Sequence, residues 1–257
     1  MRLKELFDLS NKTAIVTGGG SGLGAQMASA LAEAGANVVI CSRNLETCQK
    51  MSEHLNQQGF QSIALKCDVT KQEDIEFVVK QTLETFGSIN ILINNSGTSW
   101  IHPVLDLPDD KWDKVMNVNL KGMFFFSQAV AKVMKVQGSG KIINISSVTG
   151  LYGTNPAFLD SIAYNTSKGA VVSLTKDLAV KLADYNIQVN AIAPGFFPTK
   201  ITKVLDHANK ILLSKIPAKR FGSDSDLKGT ALFLSSKASD YITGQLLVVD
   251  GGLTVNL

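Results

Sequence analysis

The sequence predicts an α/β fold: a single-domain, Rossmann-type doubly wound parallel sheet with helices on both faces. Three observations carry that prediction. Short β-branched apolar runs alternate with longer helical patterns along the whole chain. Those runs are continuously apolar rather than alternating with polar residues, so both faces of each strand need cover. No internal repeat, low-complexity segment or Pro/Gly/Ser linker divides the 257 residues, a length that suits one large domain.

Taken in order, Thr13 to Thr17 reads as the first strand, followed by a glycine cluster. An alanine-rich helix then runs from Ala25 to Ala34 and stops at Gly35. Val38-Val39-Ile40 is the second strand, Leu45 to Gln57 a helix, and Ile63-Ala64-Leu65 the third strand. The helix from Gln72 to Phe86 ends at Gly87. Further strands are expected at Ile89 to Ile93, Gly140 to Ile145, Ile187 to Ala193 and Gln245 to Val249. Helices are expected at Lys111 to Lys135, Tyr164 to Tyr185 and Ser225 to Leu234. Strand–helix–strand alternation of this kind implies right-handed crossovers.

Composition excludes several classes. A net charge of +3, with no Lys/Arg block interleaved with aromatics, lacks the footprint of a nucleic-acid binder. No run reaches the roughly 18 apolar residues of a membrane span. The N-terminus, Met1 to Leu6, carries charge where a signal peptide needs an apolar core. Cys41, Cys48 and Cys67 form no CxxC pair and suit a reduced compartment. His54, His102 and His207 have no metal-ligand spacing. A soluble, cytoplasmic, metal-independent protein is expected.

Thr17-Gly18-Gly19-Gly20-Ser21-Gly22-Leu23-Gly24 lies between the first strand and the first helix. Glycines there permit positive φ and close backbone approach to a pyrophosphate, and the following helix offers unpaired N–H groups. The placement predicts dinucleotide binding. An acidic residue at the end of the second strand would hold the ribose hydroxyls of NAD, but Ser42 and Arg43 stand there instead. Without a carboxylate to repel a 2′-phosphate, and with Arg43 able to pair with it, NADP(H) is favoured and NAD(H) remains possible.

Tyr164 and Lys168, four apart, fall on one face if the segment is helical. A cation near a phenol favours the phenolate and makes the hydroxyl a usable acid or base. The same spacing also occurs on ordinary solvated helices.

With these residues placed, the chain resembles the short-chain dehydrogenase/reductase family over essentially its whole length. Thr17-Gly18-x-x-x-Gly22-x-Gly24 is similar to the family's glycine loop, and Asp68-Val69 follows the third strand as the family's adenine contact does. Asn94-Asn95-Ser96-Gly97 resembles its NNAG, with Ser96 in place of alanine. Asn119, Ser147 (with Ser146 beside it) and Tyr164-x-x-x-Lys168 match the catalytic positions. Pro194, Gly195 and Thr199 match the stretch that holds the nicotinamide, and Val249-Asp250-Gly251-Gly252 the closing strand.

The resemblance implies hydride transfer between a nicotinamide and a ketone or secondary alcohol. Tyr164 would be the general acid/base and Lys168 would lower its pKa and hold the nicotinamide ribose. Ser147 would orient the carbonyl oxygen, and Asn119 a water leading to solvent. Cofactor contacts are implied at Gly18, Ser21, Gly22, Leu23, Gly24, Ser42, Arg43, Asp68, Val69, Asn95, Ser96, Gly97, Tyr164, Lys168, Pro194, Gly195, Phe197 and Thr199. Within the family the chain looks most like 3-oxoacyl-acyl-carrier-protein reductases, with gluconate 5-dehydrogenases and other sugar, polyol or steroid dehydrogenases as alternatives. A catalytically silent cofactor-binding or scaffold protein is the alternative from another class, and the presence of both Tyr164 and Lys168 argues against it.

Ser147 and Tyr164 are 17 positions apart, a wider separation than the family's usual one, so a longer loop beside the site is expected. Tyr152, Asn155 and Phe158 would line the pocket, or the extra residues would bulge to solvent or meet a neighbouring subunit. Residues from about 196 to 221 correspond to the family's substrate lid. Its apolar Ile201, Val204, Leu205, Ile211 and Leu212, and Lys200, Lys203 and Lys210, face substrate or simply pack and solvate. Trp100 and His102 follow the Asn95–Gly97 loop toward the pocket. The helix from Gly122 to Gln137 is apolar over much of its surface and is expected to be buried in the fold or between subunits. By resemblance the chain is a homotetramer or homodimer acting on a small molecule.

Overall fold

The computed structural model describes residues 2–157, 159–198 and 212–256. Seven strands form one parallel sheet: β1 (Thr13–Thr17), β2 (Asn37–Ser42), β3 (Ser62–Lys66), β4 (Ile91–Asn94), β5 (Gly140–Ile145), β6 (Ile187–Pro194) and β7 (Leu246–Val249). Their order is β3-β2-β1-β4-β5-β6-β7. After β1 the chain builds outward through β2 and β3, then returns to the other side of β1 with β4. Neighbouring strands at that reversal diverge into their helices in opposite directions, which opens a crevice at the carboxyl ends of β1 and β4.

Helices are α1 (Leu3–Leu6), α2 (Gly22–Glu33), α3 (Leu45–Gln57), α4 (Gln72–Phe86), α5 (Asp109–Met116), α6 (Met123–Gln137), α7 (Ile162–Leu182) and α8 (Lys228–Ser235). The sheet separates two cores. Ala14 and Val16 of β1 pack with Met27, Leu31 and Leu234 on one face. Ile15 packs with Val78, Phe126, Val130 and Met134 on the other. Successive β1 residues therefore all enter a core, which accounts for its unbroken apolar run. Among the described residues no helix is long and apolar enough to cross a membrane.

Three expectations change. The helix expected from Lys111 to Lys135 is α5 and α6 joined by a π-helical turn, Asn117–Gly122. Such a turn inserts a residue into the helical ladder and leaves no trace in apolar spacing. Gly122 sits in it because a Cβ there would lie 2.6 Å from the Val69 carbonyl oxygen. Ile89 stands before β4 rather than in it, its N–H donating to the Gln137 side chain at 3.0 Å. Finally, α1 was not anticipated: it is four residues with none buried, held by Glu5 accepting from the Arg2 backbone N–H and guanidinium.

Candidate active site

The crevice between β1 and β4 is built by mutual contact of two loops. Thr17 Oγ1 accepts from the backbone N–H groups of Asn95 and Ser96, both at 3.0 Å. Asn95 Nδ2 donates to the carbonyls of Thr17 at 3.0 Å and Gly18 at 3.2 Å. Asn95 thus spends its amide on shaping the glycine loop. Gly24 is required for the same closeness, since a Cβ there would sit 2.3 Å from Gly18 O and 2.5 Å from Asn95 Nδ2. Gly18 and Gly22 have φ of +65° and +55°.

The residues fit a pyrophosphate. Ser21, the residue preceding α2, makes no side-chain cap bond, so the first N–H groups of a twelve-residue helix stay available to an anion. A Cβ at Gly22 would meet nothing within 4 Å, so the loop is open on that side. Leu23 lies in the first turn of α2 and packs partly into the core.

At the end of β2, Ser42 Oγ donates to Asn44 O at 3.0 Å and lies 3.1 Å from Cys48 Sγ. Arg43 is exposed. Burial raises the Asp68 carboxyl, but bonds from the Thr70 N–H and hydroxyl, with the Arg43 charge, bring it below its ordinary value. Arg43 is thus close enough to Asp68 for its charge to be felt there. Val69 is buried.

The proton-transfer residues meet where β5 and α7 converge. Lys168 is 3% exposed, and its Nζ donates to Ile145 O at 2.7 Å. Burial lowers its ammonium to about 8. Nζ lies 5.6 Å from the centroid of the Tyr164 ring. Burial raises the Tyr164 phenol above its ordinary value, and the Ser147 hydroxyl beside it only partly opposes this. The net shift of the phenol is therefore upward, where a depression was expected, because burial is the largest influence on it. Desolvation acts on both groups and pushes each toward its neutral form.

Ser147 and Ser146 separate cleanly. Ser146 Oγ donates to Lys168 O at 2.8 Å and ties β5 to α7. Ser147 Oγ, beside Tyr164, accepts from Thr149 N–H at 3.2 Å and shares a hydrogen bond with Thr149 Oγ1 at 3.0 Å. Gly97 has no side chain to fill the space next to them: a Cβ there would be 3.5 Å from Asn119 Oδ1 and 3.7 Å from Lys168 Nζ.

Asn119 is fully buried in the π turn. Its Oδ1 accepts from Thr98 N–H at 2.8 Å, and its Nδ2 donates to Thr98 O and Ser167 Oγ, each at 2.9 Å. Ser167 Oγ in turn donates to Tyr164 O at 2.7 Å. Both amide hydrogens of Asn119 go to protein, so the side chain steadies the Tyr164 turn of α7, and a water could meet it only as a donor to Oδ1.

Gly195 closes on β7, its N–H donating to Val249 O at 2.9 Å, and a Cβ on it would be 2.7 Å from Asp250 Cα. Phe197 is buried, with its ring against Gly222. Thr199, the expected nicotinamide contact, lies outside the described residues, as do Phe158 and the lid residues 200–211. Trp100 stacks under Lys111 and Lys114, at 4.9 and 5.8 Å from its ring, so those ammonium groups cover the indole. His102 is half-buried, with Nδ1 at 3.2 Å from Pro103 O.

Comparison with known proteins accords with this arrangement. The short chain dehydrogenase family profile matches residues 12–210. The 5-keto-D-gluconate 5-reductase of Escherichia coli K12 is 40% identical over 257 residues, covering 98% of this chain and 99% of that protein. The chain belongs to the short-chain dehydrogenase/reductase family. The 3-oxoacyl-acyl-carrier-protein reductase of Staphylococcus epidermidis is 38% identical over 245 residues, covering 95% and 99%. The crystal structure of a gluconate 5-dehydrogenase from Burkholderia cenocepacia J2315, in complex with NADP and tartrate, is 37% identical and covers 100% of both chains with a TM-score of 0.93.

As a short-chain dehydrogenase/reductase, the protein is an oxidoreductase acting on an alcohol or ketone with a nicotinamide dinucleotide. The sequence alone did not single out Thr98, Thr149 and Ser167, which hold the site's loops and helix in place. Thr17 stood in the glycine-loop motif and Ser167 inside Tyr164-Asn165-Thr166-Ser167-Lys168, although their bonds were not foreseen; Thr98 and Thr149 carry no signal in spacing, because they act through folded contacts.

Proposed function

We propose that this chain, as one dinucleotide-binding oxidoreductase domain, uses NADP(H) to interconvert a ketone and a secondary alcohol of a small polyhydroxy carboxylate, of the 5-ketogluconate kind. The observation that carries the chemistry is the convergence of Tyr164, Ser147 and buried Lys168 where β5 meets α7. The bound dinucleotide supplies or accepts hydride at the carbonyl carbon. Tyr164 donates its phenolic proton to the oxygen as negative charge develops there and takes it back in the reverse direction. Ser147, its hydroxyl fixed by Thr149, holds that oxygen. Lys168, still mostly charged at pH 7 with a pKa of about 8, favours the phenolate once the proton has left.

Exposed Arg43, with no carboxylate at the end of β2, supports NADP(H) over NAD(H). Near full-length similarity to both a 5-keto-D-gluconate 5-reductase and a gluconate 5-dehydrogenase supports the keto-sugar acid, and the similarity to a 3-oxoacyl-acyl-carrier-protein reductase keeps the thioester suggested first by the sequence as the second reading. A two-fold assembly through α6 and α7 is part of the reading. Leu120, Phe124 and Leu174 line a surface groove there, and Phe125 and Val133 another against α4.

NADPH-linked reduction of 5-keto-D-gluconate and of acetoacetyl-coenzyme A, each repeated with NADH, tests the reading. Turnover of the keto acid with NADPH is expected, and Tyr164→Phe should lower it by at least about 10²-fold while NADPH still binds. Retained activity in that variant, or equal use of NADH, would reject the corresponding part.

A further inference from the structure

The lengthened stretch between Ser147 and Tyr164 runs back along α7 and is pinned to it repeatedly. Gly150 lies against the helix backbone, where a Cβ would be 2.6 Å from Lys168 C and Gly169 N. One turn earlier on α7, Asn165 Nδ2 donates to Thr154 Oγ1 at 2.7 Å, and Asn165 Oδ1 accepts from Ser161 Oγ at 3.3 Å. Thr154 Oγ1 donates its own hydrogen to Leu159 O at 2.9 Å. Leu159 N–H and Ala157 N–H both donate to Asn155, at 3.1 and 2.9 Å. On its outer side, His102 N–H donates to Asp160 O at 2.9 Å, and Tyr152 packs on the buried cluster of Val148, Ile216 and Leu253, as do Phe196, Leu212 and Phe221.

We propose that Asn165 is a positioning residue that, through Thr154 and Ser161, straps residues 150–157 and 159–161 along α7 as a fixed wall of the substrate site. The loop leaves the site at Ser147, re-enters it at Tyr164, is bonded to the 98–103 loop through Asp160 and shares a buried cluster with Phe196, Leu212 and Phe221, so its position sets the space open to substrate. The inference rests on the reading of Ser147 and Tyr164 given above. The chemistry at position 165 is specific. Because the Thr154 hydroxyl has already given its hydrogen to Leu159 O, it can only accept from position 165, which must therefore donate. Ser161 requires an acceptor in the same side chain. Asparagine supplies both; aspartate, equal in size, supplies only the second.

Asn165→Asp, Thr154→Val and Thr154→Ser in the full chain test this. Two readouts are taken: amide hydrogen exchange over residues 150–161, and steady-state kinetics with NADPH and 5-keto-D-gluconate or, if that is not turned over, acetoacetyl-coenzyme A. Asn165→Asp and Thr154→Val are expected to speed exchange in the loop and raise KM about tenfold while kcat stays within about twofold. Thr154→Ser, which keeps the hydroxyl, should restore wild-type values of both. Unchanged exchange in Asn165→Asp overturns the strap. Faster exchange with unchanged KM, or a fall in kcat alone, overturns its role as a substrate wall. Failure of wild-type turnover on the keto-sugar acid rejects only the substrate reading, because exchange and the thioester kinetics still decide the strap.

Discussion

Lys168 carries an ammonium group into the interior with one carbonyl, Ile145 O, as its acceptor. In the unfolded chain it titrates near 10.5, and in the folded protein at about 8. Between those values the unfolded state binds more protons, so stability rises with pH across that window, and below about 8 the full burial cost is present. The displacement corresponds to roughly 3 kcal/mol, at about 1.4 kcal/mol for each tenfold change in proton affinity. Lys168→Met removes the titrating group. Urea unfolding of both proteins from pH 6 to 11 should show the variant gaining most relative to wild type at low pH. Its advantage should shrink by a few kcal/mol as pH rises from 8 to 10.5. A pH-independent difference would mean that Lys168 keeps its ordinary pKa when buried. The buried ammonium is a local destabilisation retained at a site that needs it, which accords with the trade between stability and activity.

Among the elements, local chemistry decided what could be read from the sequence. The expected bounds of β1, α3, α4 and β5 are those found, because turn residues flank each and apolar periodicity fills it. The glycine loop was legible for the same reason: its residues are dictated by backbone geometry. Legibility failed where tertiary contact makes the choice. Ser146 and Ser147 are chemically identical neighbours, and only the opposite directions of adjacent residues on an extended chain send one to the Lys168 backbone carbonyl and the other to the Tyr164 phenol. The need for glycine at the end of the π turn of Asn117–Gly122 likewise comes from the approach of the Val69 carbonyl. Gly24 tests how tightly elements are coupled. A methyl group there meets Gly18 O and Asn95 Nδ2, neither of which is the free end of a flexible chain. Gly24→Ala should push α2 off the loop, costing about 1–3 kcal/mol by overpacking. NADPH affinity should fall at least about tenfold. Isothermal titration and thermal melting check both. Unchanged NADPH affinity would show that the loop adapts without losing its cradle.

The proposed assembly and the proposed site share parts of the whole molecule. Leu120 of the π turn and Phe124 of α6 face the same groove as Leu174 of α7, while one residue away Asn119 links that turn to Ser167 and Tyr164. An isologous two-fold contact would bring this surface against its own copy and cover its apolar side chains. It would also hold the π turn against α7 from outside, where the described chain alone leaves Asn117 and Lys121 exposed and Leu120 half-buried. The molecule as one chain has a mass of 27.6 kDa, and light scattering is expected to give about two or four times that value. Phe124→Glu places a charge in the groove without touching the Asn119 bonds. It should shift the protein to 27.6 kDa at micromolar concentration. Leaving an unpaired charge desolvated in such a contact costs several kcal/mol. Because the turn then loses its external support, turnover should fall together with the mass and recover as protein concentration is raised. Wild type sedimenting as a monomer rejects the assembly. A Phe124→Glu protein with unchanged mass places the interface elsewhere, and a monomer with full activity separates the π turn's role in the site from any role in association.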